Sequence, residues 1–177
     1  MRLLPGFLLG FVSACVLLAA SPARAEVRAL LVGVAEYPSL PPKLQLKGPA
    51  NDVALMRTLL LRRGVPEANV QVLTESGTLP TRANILAAMA RLAADARDGD
   101  EVFMLFAGHG SRQPVVDPAQ LAQEPDGYDE IFLPRDIGPW NNATDSVQNA
   151  LTDNDVRDAI NAIRAKGAFV WAVFDSC

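Results

Sequence analysis

The sequence predicts an α/β fold in which a mainly parallel sheet of about four strands carries helices on both faces. Three observations predict it. Apolar runs of strand length recur along the chain, continuous rather than alternating, as in strands buried on both faces. Stretches with apolar residues at helical spacing lie between them, bounded by capping residues and glycine stops. Because the two kinds of element alternate, successive strands are joined by helical crossovers and run parallel.

Residues 27–34, VRALLVGV, are the first predicted strand, closed by Gly33 and the turn-rich Tyr37-Pro38-Ser39. Pro41-Pro42 and Gly48-Pro49 mark a loop. Residues 51–63 read as a helix: Val53, Leu55, Met56, Leu59 and Leu60 are at helical spacing, and Arg62-Arg63-Gly64 gives a basic last turn and a stop. Residues 70–73 are a second short strand. Thr81 is placed to cap a second helix, whose stripe is Ile85, Leu86, Met89 and Leu92 and whose end is Asp98-Gly99-Asp100. Residues 101–106 form the third strand and run into Ala107-Gly108-His109-Gly110. Residues 111–150 lack clear periodicity beyond the short run Ile131-Phe132-Leu133, and so long an irregular stretch points to a functional or mobile segment. Thr152 caps a last helix through Lys166, with Val156, Ile160 and Ile163 on its core face and Gly167 as its stop. Residues 168–174 are a fourth apolar strand, read as buried, which leads directly to Cys177.

The chain has one domain's worth of residues, 177, and with 50% apolar and 20% charged residues it is globular rather than disordered. Its first residues are set apart. Arg2 precedes a continuous apolar run from Leu3 to Ala20, and Ala23-Arg24-Ala25 fits a small-x-small cleavage pattern. Residues 1–25 are therefore expected to be a secretory signal peptide, with 26–177 the mature domain, exported to the periplasm or the cell exterior. An uncleaved anchor fits less well, because the run is short for a span and holds Pro5 and two glycines. Lipoprotein anchoring at Cys15, suggested by Val12-Ser13-Ala14-Cys15, is weakened by the apolar run that continues past it.

Removing Arg2 and Arg24 leaves 14 basic against 20 acidic residues, a formal charge of −6. That argues against nucleic acid or an anionic membrane surface as a partner. Cys177 is the only cysteine beyond the leader, so no internal disulfide forms and its thiol is free or pairs between chains. A natural domain rarely ends directly after a buried strand, so further chain is expected beyond Cys177.

His109 is the only histidine of the chain. It follows the third strand and Cys177 follows the fourth, and in a parallel sheet both fall on the carboxyl edge, where ligand sites lie. Taken singly, either residue reads as easily as structural, the thiol as a small buried hydrophobe. A thiol and an imidazole delivered together to one edge are what nucleophilic cysteine catalysis requires. One histidine and one cysteine are too few for a zinc site unless carboxylates complete it.

Several stretches together carry a resemblance. They are Ala29-Leu30-Leu31-Val32-Gly33, Ala50-Asn51-Asp52-Val53, Pro80-Thr81-Arg82-Ala83-Asn84-Ile85, Gly99-Asp100, Phe106-Ala107-Gly108-His109-Gly110-Ser111, Asp126-Gly127-Tyr128-Asp129-Glu130, Leu133-Pro134-Arg135-Asp136 and Asp175-Ser176-Cys177. In this order, over nearly the whole mature chain, they resemble the metacaspases and bacterial caspase-like peptidases of the caspase clan. The resemblance implies a caspase-like three-layer sandwich and an exported cysteine endopeptidase. In it Cys177 is the nucleophile, His109 the general acid and base, and the backbone N–H groups of Gly110 and Cys177 the oxyanion hole. It further implies cleavage after Arg or Lys, read by an acidic pocket of Asp52 and Asp175. By themselves Asp52 reads equally as a helix-start residue and Asp175 as a turn residue. No cofactor is required for such chemistry. Calcium is the metal the resemblance brings in, with Asp129, Asp153 and the neighbouring Asn154 as oxygen ligands, whereas Asp153 alone reads as support for a helix N-terminus.

The expected partner is a peptide or protein with a basic residue before the cut, and the expected state is a monomer, free of the membrane once the leader is removed. A chain ending at Cys177 is expected to be inactive or poorly folded alone, its fourth strand uncovered. The other readings are a non-catalytic caspase-like binding or assembly module and a thiol redox sensor.

Overall fold

The computed structural model describes residues 25–115, 119, 121 and 124–177. The leader and Cys15 expectations lie outside the described residues. Among those described, no helix is long and apolar enough to cross a membrane.

Four strands form the central sheet: β1 (Val27–Gly33), β2 (Val70–Leu73), β3 (Glu101–Ala107) and β9 (Phe169–Asp175). Their order is β2-β1-β3-β9 and every pairing is parallel. The expected fold class is observed, and the alternation of side chains along a strand explains the three layers. On one face Ala29, Leu31 and Leu105 pack with Val53 and Leu60 of α1 (Pro49–Arg62). On the other, Leu30, Val32, Met104 and Phe106 meet Ile85, Met89 and Leu92 of α2 (Arg82–Asp95) and Val156 and Ile163 of α3 (Asp153–Arg164).

The caps form as the sequence predicts. Thr81 Oγ1 accepts from the Asn84 amide, and Thr152 and Asp155 make a reciprocal capping box on α3. Gly167, at φ 85°, stops α3 in the left-handed conformation that glycine tolerates. Arg82 ties the two helix starts together. Its guanidinium donates to both carboxylate oxygens of Asp155 and to the Ala150 carbonyl, while its own amide donates to Asp136. At the opposite edge, buried Asp100 accepts from the Glu26 and Arg97 amides and from Arg28 Nε. Burial opposes its ionisation, but these donors together hold its carboxyl below the usual range.

Two features differ from the sequence reading. Residues 111–150 were expected to be irregular, yet they contribute to a second, antiparallel sheet of β4 (Gly110–Pro114), β5 (Tyr128–Phe132) and β8 (Leu151–Thr152). A small hairpin of β6 (Trp140–Asn141) and β7 (Ser146–Val147) lies between β5 and β8. These strands are short and polar on their outer side, so they carry little periodicity. The second difference is β9, expected to be buried. It pairs with β3 along one edge, but Phe169, Trp171, Val173 and Phe174 are all exposed.

Candidate active site

β3 and β9 are paired to their last residues, Ala107 opposite Asp175, and the Gly108 amide donates to the Asp175 carbonyl at 3.2 Å. His109 and Cys177 each follow two residues later, past the carboxyl edge of neighbouring strands. The two turns stay in contact. A Cβ built on Gly110 would overlap the Cys177 carbonyl oxygen and lie 3.1 Å from Ser176 Oγ. Only glycine lets the chain pass Cys177 this closely. The Cys177 thiol is free and exposed, and His109 is half-buried.

The imidazole is fixed from the side of the β1–α1 loop. His109 Nε2 lies 2.7 Å from the Leu44 carbonyl oxygen. A carbonyl only accepts, so Nε2 carries the proton and Nδ1 remains as the nitrogen able to take one. Tyr37, fully buried, lies against the ring with centroids 4.9 Å apart, and its hydroxyl oxygen accepts the His109 backbone N–H at 2.8 Å. Burial pushes the Tyr37 phenol up to about 12, so it stays protonated at neutral pH.

Asp52 is half-buried in the first turn of α1, and Asp175 is exposed at the end of β9. Both therefore lie on the carboxyl-edge side of the sheet, Asp52 above the strands that α1 covers and Asp175 two residues before the thiol. A cavity of about 260 Å³ opens beside Cys177, walled by Phe132, Leu151, Val156 and Phe174. Glu130 and Asp153 also line it.

Asp153 belongs to an acidic cluster as well. Oxygens of Glu124, Asp129 and Asp153 all lie within 4.8 Å of one another. Asp129 is buried beside Gln113, with which it hydrogen-bonds. Its carboxyl is raised by burial and then by the Asp153 charge, and Glu124 is raised by the same two causes in the same order. Among the described residues, Asp153 Oδ1 is buried without a hydrogen-bond partner. Asn154 adjoins the cluster: its amide nitrogen donates to Asp129 Oδ1 at 3.3 Å, while its oxygen accepts from Arg157. Clustered carboxylates with one orphaned buried oxygen are a donor set suited to a hard divalent cation such as calcium.

Sequence reasoning did not single out Tyr37, Leu44 or Glu124. Tyr37 had a faint signal, an aromatic residue just past a strand end. Leu44 acts through its backbone, which no side-chain pattern records, and Glu124 reaches the cluster from a loop without periodicity.

Residues 27–177 match the family model described as Metacaspase, peptidase C14 domain. Metacaspase-1B of Aspergillus fumigatus is 35% identical over 155 residues, covering 85% of this chain and 34% of that protein. Metacaspase-7 of Arabidopsis thaliana is 35% identical over 154 residues, with the same two coverages. The chain thus spans about a third of the length of the curated relatives it matches. A solved structure, protein GSU0716 from Geobacter sulfurreducens, superposes with a TM-score of 0.62 at 25% identity, over 86% of this chain and 50% of that one.

Proposed function

Because the chain belongs to the metacaspase family, peptidase C14, we propose that the protein is an exported cysteine endopeptidase that cleaves after Arg or Lys. The observation that carries this reading is the pairing of β3 and β9 to their last residues, with a thiol and a half-buried imidazole leaving the same edge. His109 Nδ1 takes the thiol proton, and the Cys177 sulfur adds to the scissile carbonyl. The developing oxyanion is met by the backbone N–H groups of Gly110 and Cys177. The imidazolium returns its proton to the leaving amine as the C–N bond breaks, giving a thioester. It then accepts a proton from the water that hydrolyses that thioester and restores the thiol. Asp52 and Asp175 receive the basic side chain before the cut. Both acids lie on the thiol's side of the sheet, and a carboxylate pair suits a guanidinium.

Glu124, Asp129 and Asp153 would hold calcium, with Asn154 orienting Asp129. Such an ion would offset the mutual repulsion of three crowded carboxylates, and it would fix Asp153 in the wall of the cavity beside Cys177.

The test is cleavage of matched fluorogenic peptides ending in Arg, Lys or Asp, by protein made from the complete reading frame, with calcium and with chelator. Turnover after Arg or Lys that is absent in Cys177→Ala is the expected result. Turnover after Asp alone would overturn the acidic pocket. No turnover of any peptide in either condition would favour a binding module on the same fold.

A further inference from the structure

We propose that Gln45 is a positioning residue for His109. Its side-chain amide ties the β1–α1 loop into the one shape that presents the Leu44 carbonyl to Nε2 and the Tyr37 hydroxyl to the His109 amide. The inference rests on the peptidase reading for its kinetic consequence, but not for its structural one.

Apart from Gln45, the loop is held by the buried Tyr37, by Leu40 and Leu46 packed against the core, and by Ser39 Oγ, which donates to the Ile137 carbonyl. The loop contains a single short 3-10 turn, Pro42–Leu44, in which no residue is buried. Two contacts fix its start, where the Ala35 and Glu36 amides donate to Glu75 Oε1 at 2.9 and 3.0 Å. The far side is fixed by the Leu46 amide, which donates to the Ala35 carbonyl at 2.9 Å. Between these points Gln45 folds back across the loop. Its Oε1 accepts the Tyr37 amide at 2.7 Å. Its Nε2 faces three carbonyls, those of Tyr37 at 3.0 Å, Leu40 at 3.2 Å and Pro41 at 3.4 Å. One side chain thus satisfies both backbone groups of Tyr37, the residue that packs on the histidine. It is also adjacent in sequence to Leu44, the residue whose carbonyl meets Nε2.

A primary amide is the group this geometry requires. It supplies an acceptor and two donors from one planar head. A carboxylate has no donors and would face three carbonyl oxygens, so Glu at this position would be repelled. Gln45 is exposed, so its replacement removes the cross-link without opening a core cavity. Released, the loop no longer holds the Leu44 oxygen at hydrogen-bond distance, and the imidazole loses its preference for the Nε2–H tautomer. Nδ1 is then protonated in part of the population and cannot take the thiol proton.

The experiment uses untagged protein from the complete reading frame, labelled with ¹⁵N-histidine, the His109 signal being identified by its loss in His109→Gln. Wild type is expected to show the Nε2–H tautomer. Gln45→Ala and Gln45→Glu are expected to show a mixture of tautomers, with circular dichroism unchanged. Against an Arg or Lys peptide, kcat should fall about 10- to 100-fold with KM unchanged, the size expected when a reacting group is slightly misplaced. Tyr37→Phe, which removes the acceptor for the His109 amide, should lower kcat in the same direction while leaving Gln45 in place. An unchanged tautomer in Gln45→Ala would overturn the proposal, whatever the kinetics. If the wild type cuts no peptide, the peptidase reading fails, and the tautomer measurement still decides the role of Gln45.

Discussion

Ala107 and Asp175 stand opposite one another at the carboxyl edge of the sheet, and the residue after Ala107 hydrogen-bonds back to Asp175. The register of β3 against β9 thereby sets where the His109 and Cys177 side chains leave the sheet. One residue inserted between Asp175 and Ser176 would displace Cys177 by about 3.3 Å and leave every strand pairing intact. Loss of peptidase activity by about 100-fold or more is expected, with the thermal midpoint unchanged. Gly110→Ala tests the same contact from the other side. Its Cβ would push the Cys177 carbonyl away, so peptide cleavage should fall comparably in a protein that remains folded. Wild-type rates in both variants would show that the edge does not position the thiol.

The proposed pocket of Asp52 and Asp175 predicts separable effects on binding and specificity. Asp175→Asn and Asp52→Asn each remove one charge that would face a guanidinium, an interaction of roughly 1.5–3 kcal/mol, so kcat/KM for Arg peptides should fall about 10- to 100-fold. Reactivity of Cys177 toward iodoacetamide should be unaffected, because neither acid belongs to the proton-transfer pair. Equal losses for Arg peptides and for uncharged peptides would assign the two acids to structure instead.

The Glu124, Asp129 and Asp153 cluster predicts a stability response that needs no activity assay. Glu124 and Asp129 are raised, so their contribution favours the folded state at low pH and is lost as pH rises through their folded values. Calcium should relieve the mutual repulsion of the ionised carboxylates at neutral pH. At a hundredfold excess over Kd it should raise the thermal midpoint by about 5–10 °C, fading on acidification as protons compete. Asp153→Asn should stabilise the calcium-free protein and abolish the rise. A rise that survives in Asp153→Asn would place the ion elsewhere.

Asp100 makes the opposite prediction. Its carboxyl is lowered, so its contribution is present at neutral pH and is lost as pH falls through the depressed value. Asp100→Asn should cost about 2 kcal/mol in urea unfolding at pH 7 and much less in strong acid. A difference that stays constant with pH would mean that packing, not charge, holds this corner.

Much of this architecture is legible in the sequence because it is local. The continuous apolar strands, the Thr81 and Thr152 caps and the Gly167 stop each depend on neighbours within a few residues. The placing of His109 and Cys177 on one edge follows from alternation alone. What the sequence hides is non-local or made of backbone. β4 carries Ser111, Arg112 and Gln113 and reads as loop, because its partner begins only at Tyr128 and the sequence between them has no periodicity. The bond from Leu44 to His109 joins residues 65 apart through a carbonyl that every residue possesses. The exposure of β9 shows the converse, since a run of Phe, Val, Trp and Phe reads as buried whether or not a second neighbour covers it.

That strand also gives the protein an optical handle. Both tryptophans, Trp140 and Trp171, are in contact with water, 44% and 57% exposed. Their emission should therefore be red-shifted in the chain described. Trp171 lies on β9, four residues before Asp175, whereas Trp140 belongs to the separate β6–β7 hairpin. A group packing against β9 at Trp171 would shield that indole. A blue shift that persists in Trp140→Phe would thus report the covering of the strand that leads to the thiol, before any peptide is cut.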